Sequence, residues 1–131
     1  MERTNIPGNS PYEGIVGFSR AVKVGPFIFV AGTVATGADG KIVGVGDIYA
    51  QSVQILKNIG RALEQAGAGF RDVVRTRTFV TDISQWEKAA QAHGEVFRDV
   101  RPAATMMEVS KLISPEMLVE IEVDAILEGG S

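Results

Sequence analysis

Residues 101–127 read RPAATMMEVSKLISPEMLVEIEVDAIL, and the fold turns on how they are read. Their second half alternates strictly. Leu118, Glu120, Glu122 and Asp124 hold one parity; Val119, Ile121, Val123 and Ala125 hold the other. A side-chain period of two predicts a strand over 117–126, with an apolar core face and an acidic opposite face. A shorter strand, rich in Met and Val, is predicted over 105–109. Three carboxylates in a row repel one another if they share one environment. Most should therefore face water, and at most one should sit in a cleft.

Upstream, Pro102 stops a helix that is predicted from Ser84-Gln85-Trp86-Glu87, read as a capping box, to about Val100. Before it lies a strand within 70–80, VVRTRTFV. A longer helix runs from Ile48 to about Gln65, capped by Asp47 and ended by Gly67-Ala68-Gly69. Its apolar residues Ile48, Val53, Leu56, Ile59 and Leu63 recur at helical spacing. A hairpin precedes it, with strands FSRAVKV (18–24) and FIFVAGTV (27–34) joined at Gly25-Pro26. The second of these is apolar on both parities, which predicts a central strand covered on both faces. Gly32 inside it predicts a bulge or a close backbone approach. Lys41-Ile42-Val43 reads as a short edge strand and residues 1–17 as an irregular arm. Strands with two intervening helices predict a single α+β domain over 1–131, a mixed sheet with both helices on one face.

The bulk numbers narrow the function. Net charge is −3 and the pI about 5.1, which gives no electrostatic footprint for nucleic acid. No apolar run approaches the roughly 18 residues of a membrane span, and no apolar signal core precedes Phe18, so the expected location is cytoplasmic. There are no cysteines and one His, which leaves little for a transition-metal site. No cofactor, metal, membrane or nucleic-acid partner is expected.

Pro102-Ala103-x-Thr105-x-Met107-Glu108-Val109, followed by Val119-Glu120-Ile121-Glu122, resembles the C-terminal signature of the Rid family. These are the RidA/YjgF-type proteins, also labelled imine deaminases or L-PSP endoribonucleases. The resemblance spans about residues 14–127. It implies a chorismate-mutase-like fold, a homotrimer around a central barrel, and small-molecule sites in clefts between subunits. It also implies that Glu120 positions the attacking water. The family's carboxylate-clamping Arg falls on Ala104. Its site Tyr falls on Phe18, a Ser or Thr before glycine on Ala31, a helix-borne Asn on Ala90 and a Cys on Met106. The cleft implied is more apolar than the family's. Losing a charge-assisted pair costs roughly 2–5 kcal/mol, so 2-imino acid deamination is expected to be weak or absent.

Each candidate also has a plain reading. Glu120 alone is a solvated strand residue. Arg75 and Arg77 share a strand face and read as partners of the acidic strand. The sharper reading has Arg77 or Arg101 reaching the cleft in place of the missing clamp, with Arg20 ranked after them. His93 reads as a packing residue within its helix. Phe18, Ala31, Gly32, Thr33, Ala104, Thr105 and Met106 complete the expected substrate-binding set. Main-chain groups near Gly32 and Thr33 are expected to receive polar ligand atoms. Two functions are open: hydrolysis of an imine, enamine or related C–N bond, and binding of a small metabolite without turnover. A ribonuclease is disfavoured by the acidic balance.

Overall fold

The computed structural model describes residues 1–128. Six strands form one sheet: β1 (Arg3–Ile6), β2 (Ala21–Val24), β3 (Phe27–Thr33), β4 (Val73–Val80), β5 (Ala103–Glu108) and β6 (Val119–Ile126). Two helices, α1 (Ile48–Gln65) and α2 (Trp86–Phe97), lie between β3 and β4 and between β4 and β5. The spatial order is β1-β2-β3-β6-β4-β5. Only the β4–β5 pair is parallel, and α2 supplies the crossover that a parallel pair requires. The fold is therefore α+β with a mixed sheet, as the order of strands with two intervening helices implied.

Alternation decides which face each strand buries. Val119, Ile121, Val123 and Ala125 are each at most 1% exposed, while Glu120, Glu122 and Asp124 between them are half-buried. Ile28 and Val30 of β3 and Thr76, Thr78 and Val80 of β4 join them beneath the helices. From α1, Ile55, Ile59 and Leu63 fill the facing layer with no exposed surface. Burying each contributes about 1.5–3 kcal/mol. Asp47 caps α1 by accepting from the Ala50 N–H at 3.0 Å. The helix closes at Gly67, whose φ of 82° is the left-handed value that favours glycine.

Several expectations need correction. Residues 1–17 are not wholly irregular. Arg3–Ile6 pairs antiparallel with β2, and Glu13–Gly17 forms a π-helical turn. The segment 41–43 makes a single bridge, Thr36 to Ile42, rather than a strand. The capping box at Ser84 does not form. Asp82 stands two residues ahead and accepts from both the Ser84 N–H (3.0 Å) and its hydroxyl (2.6 Å), which starts a 3-10 turn over Ile83–Gln85 before α2. Finally, β3 is central, yet within one chain it is covered on one face only: Phe27 and Phe29 are 41% and 51% exposed. No helix among the described residues is long and apolar enough to cross a membrane.

Candidate functional site

The site is built on a break in the ladder between β3 and β6. Val30 pairs with Val123 and Thr33 with Ile121, so three steps on β3 face two on β6. The extra residue is a β-bulge at Ala31-Gly32, where the sequence placed one. It brings Gly32 against the next outward-facing residue of β6, Glu120. A Cβ on Gly32 would lie 2.5 Å from Glu120 Oε2, a distance at which the carboxylate would have to move. Glycine here makes room for the carboxylate in its present position and is not needed for its own dihedral angles. Glu120 is half-buried, and burial raises its pKa above the ordinary carboxylate value; Glu122 adds to the rise and Arg20 opposes it.

Arg20 lies just before β2 and extends to the same bulge. Its Nη1 donates to the Gly32 carbonyl and to Thr33 Oγ1, both at 3.0 Å. Thr33 Oγ1 donates in turn to the Ala31 carbonyl at 2.8 Å. The guanidinium lies over the Phe18 ring, 5.3 Å from its centroid. Burial disfavours its charge, while Glu13 and then Glu120 support it. Neither approaches within ion-pair distance, and Arg20 Nε is buried without a hydrogen-bond partner. Of the main-chain groups near Gly32 and Thr33 expected to receive a ligand, the Gly32 carbonyl already accepts from Arg20.

These residues line a cavity of about 530 Å³ that also takes in Phe18, Ala31, the arm residues Asn9, Ser10 and Tyr12, and Asn58, Arg61 and Gln65 of α1. Two helix amides hold its frame. Asn58 Nδ2 donates to the Val34 and Thr36 carbonyls at 3.1 and 3.0 Å, fixing the chain leaving β3. Gln51, 1% exposed, donates to the Glu116 carbonyl (2.8 Å) and accepts from the Leu118 N–H (3.0 Å), fixing the chain entering β6. Burying an amide is tolerated because its partners are all present.

Ala104, Thr105 and Met106 lie elsewhere. They line a second cavity, about 440 Å³, between the β5 edge and α2, with Thr76, Thr78, Trp86, Ala90 and His93. His93 Nε2 is 2.8 Å from Thr76 Oγ1, and its ring packs on Phe97 with centroids 4.7 Å apart. Burial alone lowers the His93 pKa. The lining of this cavity has no carboxylate and no titratable group beyond that imidazole.

Within one chain, then, the expected site set divides in two. Phe18, Ala31, Gly32, Thr33 and Glu120 share the first cavity, and Ala104, Thr105 and Met106 share the second. Arg77 reaches neither. It pairs with Glu122 (3.1 Å) and Asp124 (3.4 Å) across the β4–β6 ladder, as its plain reading held. Arg101, exposed with a φ of 57°, closes the turn after α2 and also lines neither cavity. Asn58, Arg61, Gln65 and Tyr12 were not anticipated. The available signal was a polar residue, Gln51 or Asn58, among the apolar positions of α1.

A family model described as endoribonuclease L-PSP matches residues 9–127. A RutC family protein of Pyrococcus abyssi is 36% identical over 111 residues, covering 85% of this chain and 87% of its own. The 3-aminoacrylate deaminase RutC of Acinetobacter baylyi is 31% identical over 101 residues, covering 77% and 79%. The crystal structure of a YjgF/YER057c/UK114 family member from Mycobacterium tuberculosis is 46% identical, with a TM-score of 0.87 over 96% of this chain and 100% of that one. Sequence signature, family model and backbone agree, and this chain belongs to the Rid (YjgF/RutC) family.

Proposed function

We propose that the chain acts on a small metabolite in the Glu120 cavity by hydrolysing an imine, enamine or related C–N bond. The observation that carries this reading is Glu120 itself. It is a half-buried carboxylate pressed against a glycine at a bulge, with its pKa moved up towards the range of an acid–base group. Water attacks the imine carbon. Glu120 takes one water proton as the C–O bond forms and passes it to nitrogen, giving a carbinolamine. The same carboxyl then carries the hydroxyl proton to nitrogen as the C–N bond breaks, releasing ammonia and a carbonyl compound. An enamine first takes a proton at carbon to become the imine. No cofactor enters this balance. The aminoacrylate deaminase among the relatives supports the reaction class.

The working unit in this reading is a homotrimer around a central barrel. Phe27, Phe29 and Ile126 leave an apolar sheet face 41–51% exposed, which supports its cover by further copies. Packing of that kind would set one copy's neutral β5 cavity beside another's Glu120 cavity and reunite the divided set. Light scattering should give three times the 14.0 kDa chain mass; one chain mass at micromolar concentration would refute the trimer.

A second reading, binding without turnover, is favoured by the neutral residues Ala90, Ala104 and Met106 of the second cavity. One experiment separates the two. An imine is generated in situ by an amino-acid oxidase and trapped with semicarbazide. Because the clamp position is Ala104, the protein should accelerate its loss only weakly, below family members that keep that Arg, and Glu120→Gln should lower that rate roughly 10²–10⁴-fold with the fold unchanged. Native-rate turnover by Glu120→Gln would remove the catalytic role of Glu120. No acceleration by the native chain would leave the binding reading.

A further inference from the structure

The geometry points to Arg20 as the anion anchor of the Glu120 cavity, so that the ligand carries a carboxylate held by this guanidinium while Glu120 acts on the neighbouring carbon. The inference rests on the reading of that cavity as the ligand site.

Arg20 carries a charge that no carboxylate of the described residues meets at ion-pair distance. Guanidinium stays protonated throughout the working range. A half-buried cation without a contact partner is costly, and such groups are ordinarily paired. The nearby carboxylates do not fill that role. Glu13 is occupied by the Gly8 and Ser10 N–H groups, at 2.9 and 3.2 Å. Glu120 is pressed on Gly32 and lies beyond ion-pair distance.

The anchor is also held in place. All the hydrogen bonds Arg20 makes among the described residues leave from Nη1, to one carbonyl and one hydroxyl of the bulge. Phe18 supports the guanidinium plane. Nε is buried, and Nη2 makes no hydrogen bond among the described residues, while Arg20 lines the 530 Å³ cavity. A ligand carboxylate oxygen can accept a charge-assisted bond from Nη2 there. Arg61 lines the same cavity and adds charge of the same sign at its rim, where it is exposed. The carboxylate recognition that Ala104 cannot give is thereby supplied from the residue before β2, on the side of the site that holds Glu120.

Anchor and base then share one guanidinium. A ligand carboxylate and an ionised Glu120 oppose each other, and Arg20 compensates both. Substituting the two residues should therefore move anion affinity in opposite directions, which a passive structural arginine would not produce.

Pyruvate and neutral acetone serve as probes, with binding followed by NMR on the intact protein. Pyruvate should bind the native chain at millimolar or lower concentration and shift the Arg20 Nε–H signal and the amides of 31–33. Arg20→Gln should weaken pyruvate about thirtyfold or more, leave acetone unchanged, and Glu120→Gln should tighten pyruvate. Arg77→Gln, whose side chain lines neither cavity, should leave it alone. Equal pyruvate affinity in native and Arg20→Gln proteins overturns the inference. So does absence of pyruvate binding, or shifts centred on Arg77. If Arg20→Gln does not fold, the native-chain shifts decide. Pyruvate binding that depends on Arg20 in a protein without turnover would sink the hydrolysis and keep the anchor; turnover lost in Glu120→Gln with pyruvate indifferent to Arg20 would do the reverse.

Discussion

The two cavities are of similar size and opposite character. The one at the β3 bulge holds a carboxylate and a guanidinium, each half-buried, and each displaced by burial from its ordinary proton affinity. The one at the β5 edge holds Ala90, Ala104, Met106, Trp86 and an imidazole whose charged form burial disfavours. Charge is expensive to bury, and a chain of this size concentrates it where something is gained. In the proposed reading the proton-transfer chemistry belongs to the bulge, and the edge shapes the ligand's uncharged part. Against the family's signature the proposed anchor is a change of side, from the position of Ala104 to Arg20.

The largest effect expected from breaking this contrast comes from Gly32→Ala. The new Cβ would sit 2.5 Å from Glu120 Oε2 and 2.9 Å from Cδ. The group it meets is the end of a flexible side chain, so the chain should fold, with stability within about 1 kcal/mol of native. The carboxylate must move by an ångström or so, and a displacement of that order costs roughly 10²-fold in rate. Imine turnover and thermal unfolding, measured together, check it. Native turnover would mean that the position of Glu120 does not matter.

An intermediate effect tests whether the two cavities share a ligand. Ala104 is exposed on the edge strand, so Ala104→Arg should cost the fold no more than about 0.5 kcal/mol. Placed in the Arg20→Gln background, the new guanidinium should recover about tenfold of the lost pyruvate affinity, the worth of one charge-assisted hydrogen bond. Recovery requires that the β5 edge of one copy reach the bulge of another. A titration showing none would leave the second cavity independent of the first.

Much of this fold was legible in the sequence because it rests on local rules. Strict alternation over 119–126 and the helical spacing over 48–65 fix which faces are buried, and both elements appear with those faces. The bulge at Gly32 was legible for the same reason. The site was less so, because its parts come from distant segments. Arg20 reads as one more cation in an amphipathic strand until β3 is laid beside it. Gln51 and Asn58 read as breaks in an apolar stripe, yet they bind carbonyls 65 and 22–24 residues away. Arg77 reads equally as clamp or ladder partner, and only the register against Glu122 decides. The Ser84 capping box failed because a better acceptor, Asp82, stood two residues upstream.

The smallest expected effect concerns acid and base limits, where the two cavities should differ in sign. Burial lowers the His93 pKa, so the folded state prefers the neutral ring. The stability this represents is complete above the ordinary histidine value and is lost as pH falls through the lowered one. The walls of that cavity offer no other titratable group to mask the effect. For Glu120 the shift is upward, so the folded state prefers the protonated carboxyl. Its contribution is complete in acid and is lost as pH rises through the raised value. His93→Gln should therefore flatten the acid limb of a stability–pH curve, and Glu120→Gln the rise-limited limb above the ordinary carboxylate range. Thr76→Val, which removes the hydroxyl 2.8 Å from His93 Nε2, should cost about 1 kcal/mol while leaving both limbs in place. Urea midpoints at a series of pH values read all three. If His93→Gln leaves the acid limb as steep as before, the imidazole is not what the β5 cavity keeps neutral, and the contrast between the two cavities loses its acid–base half.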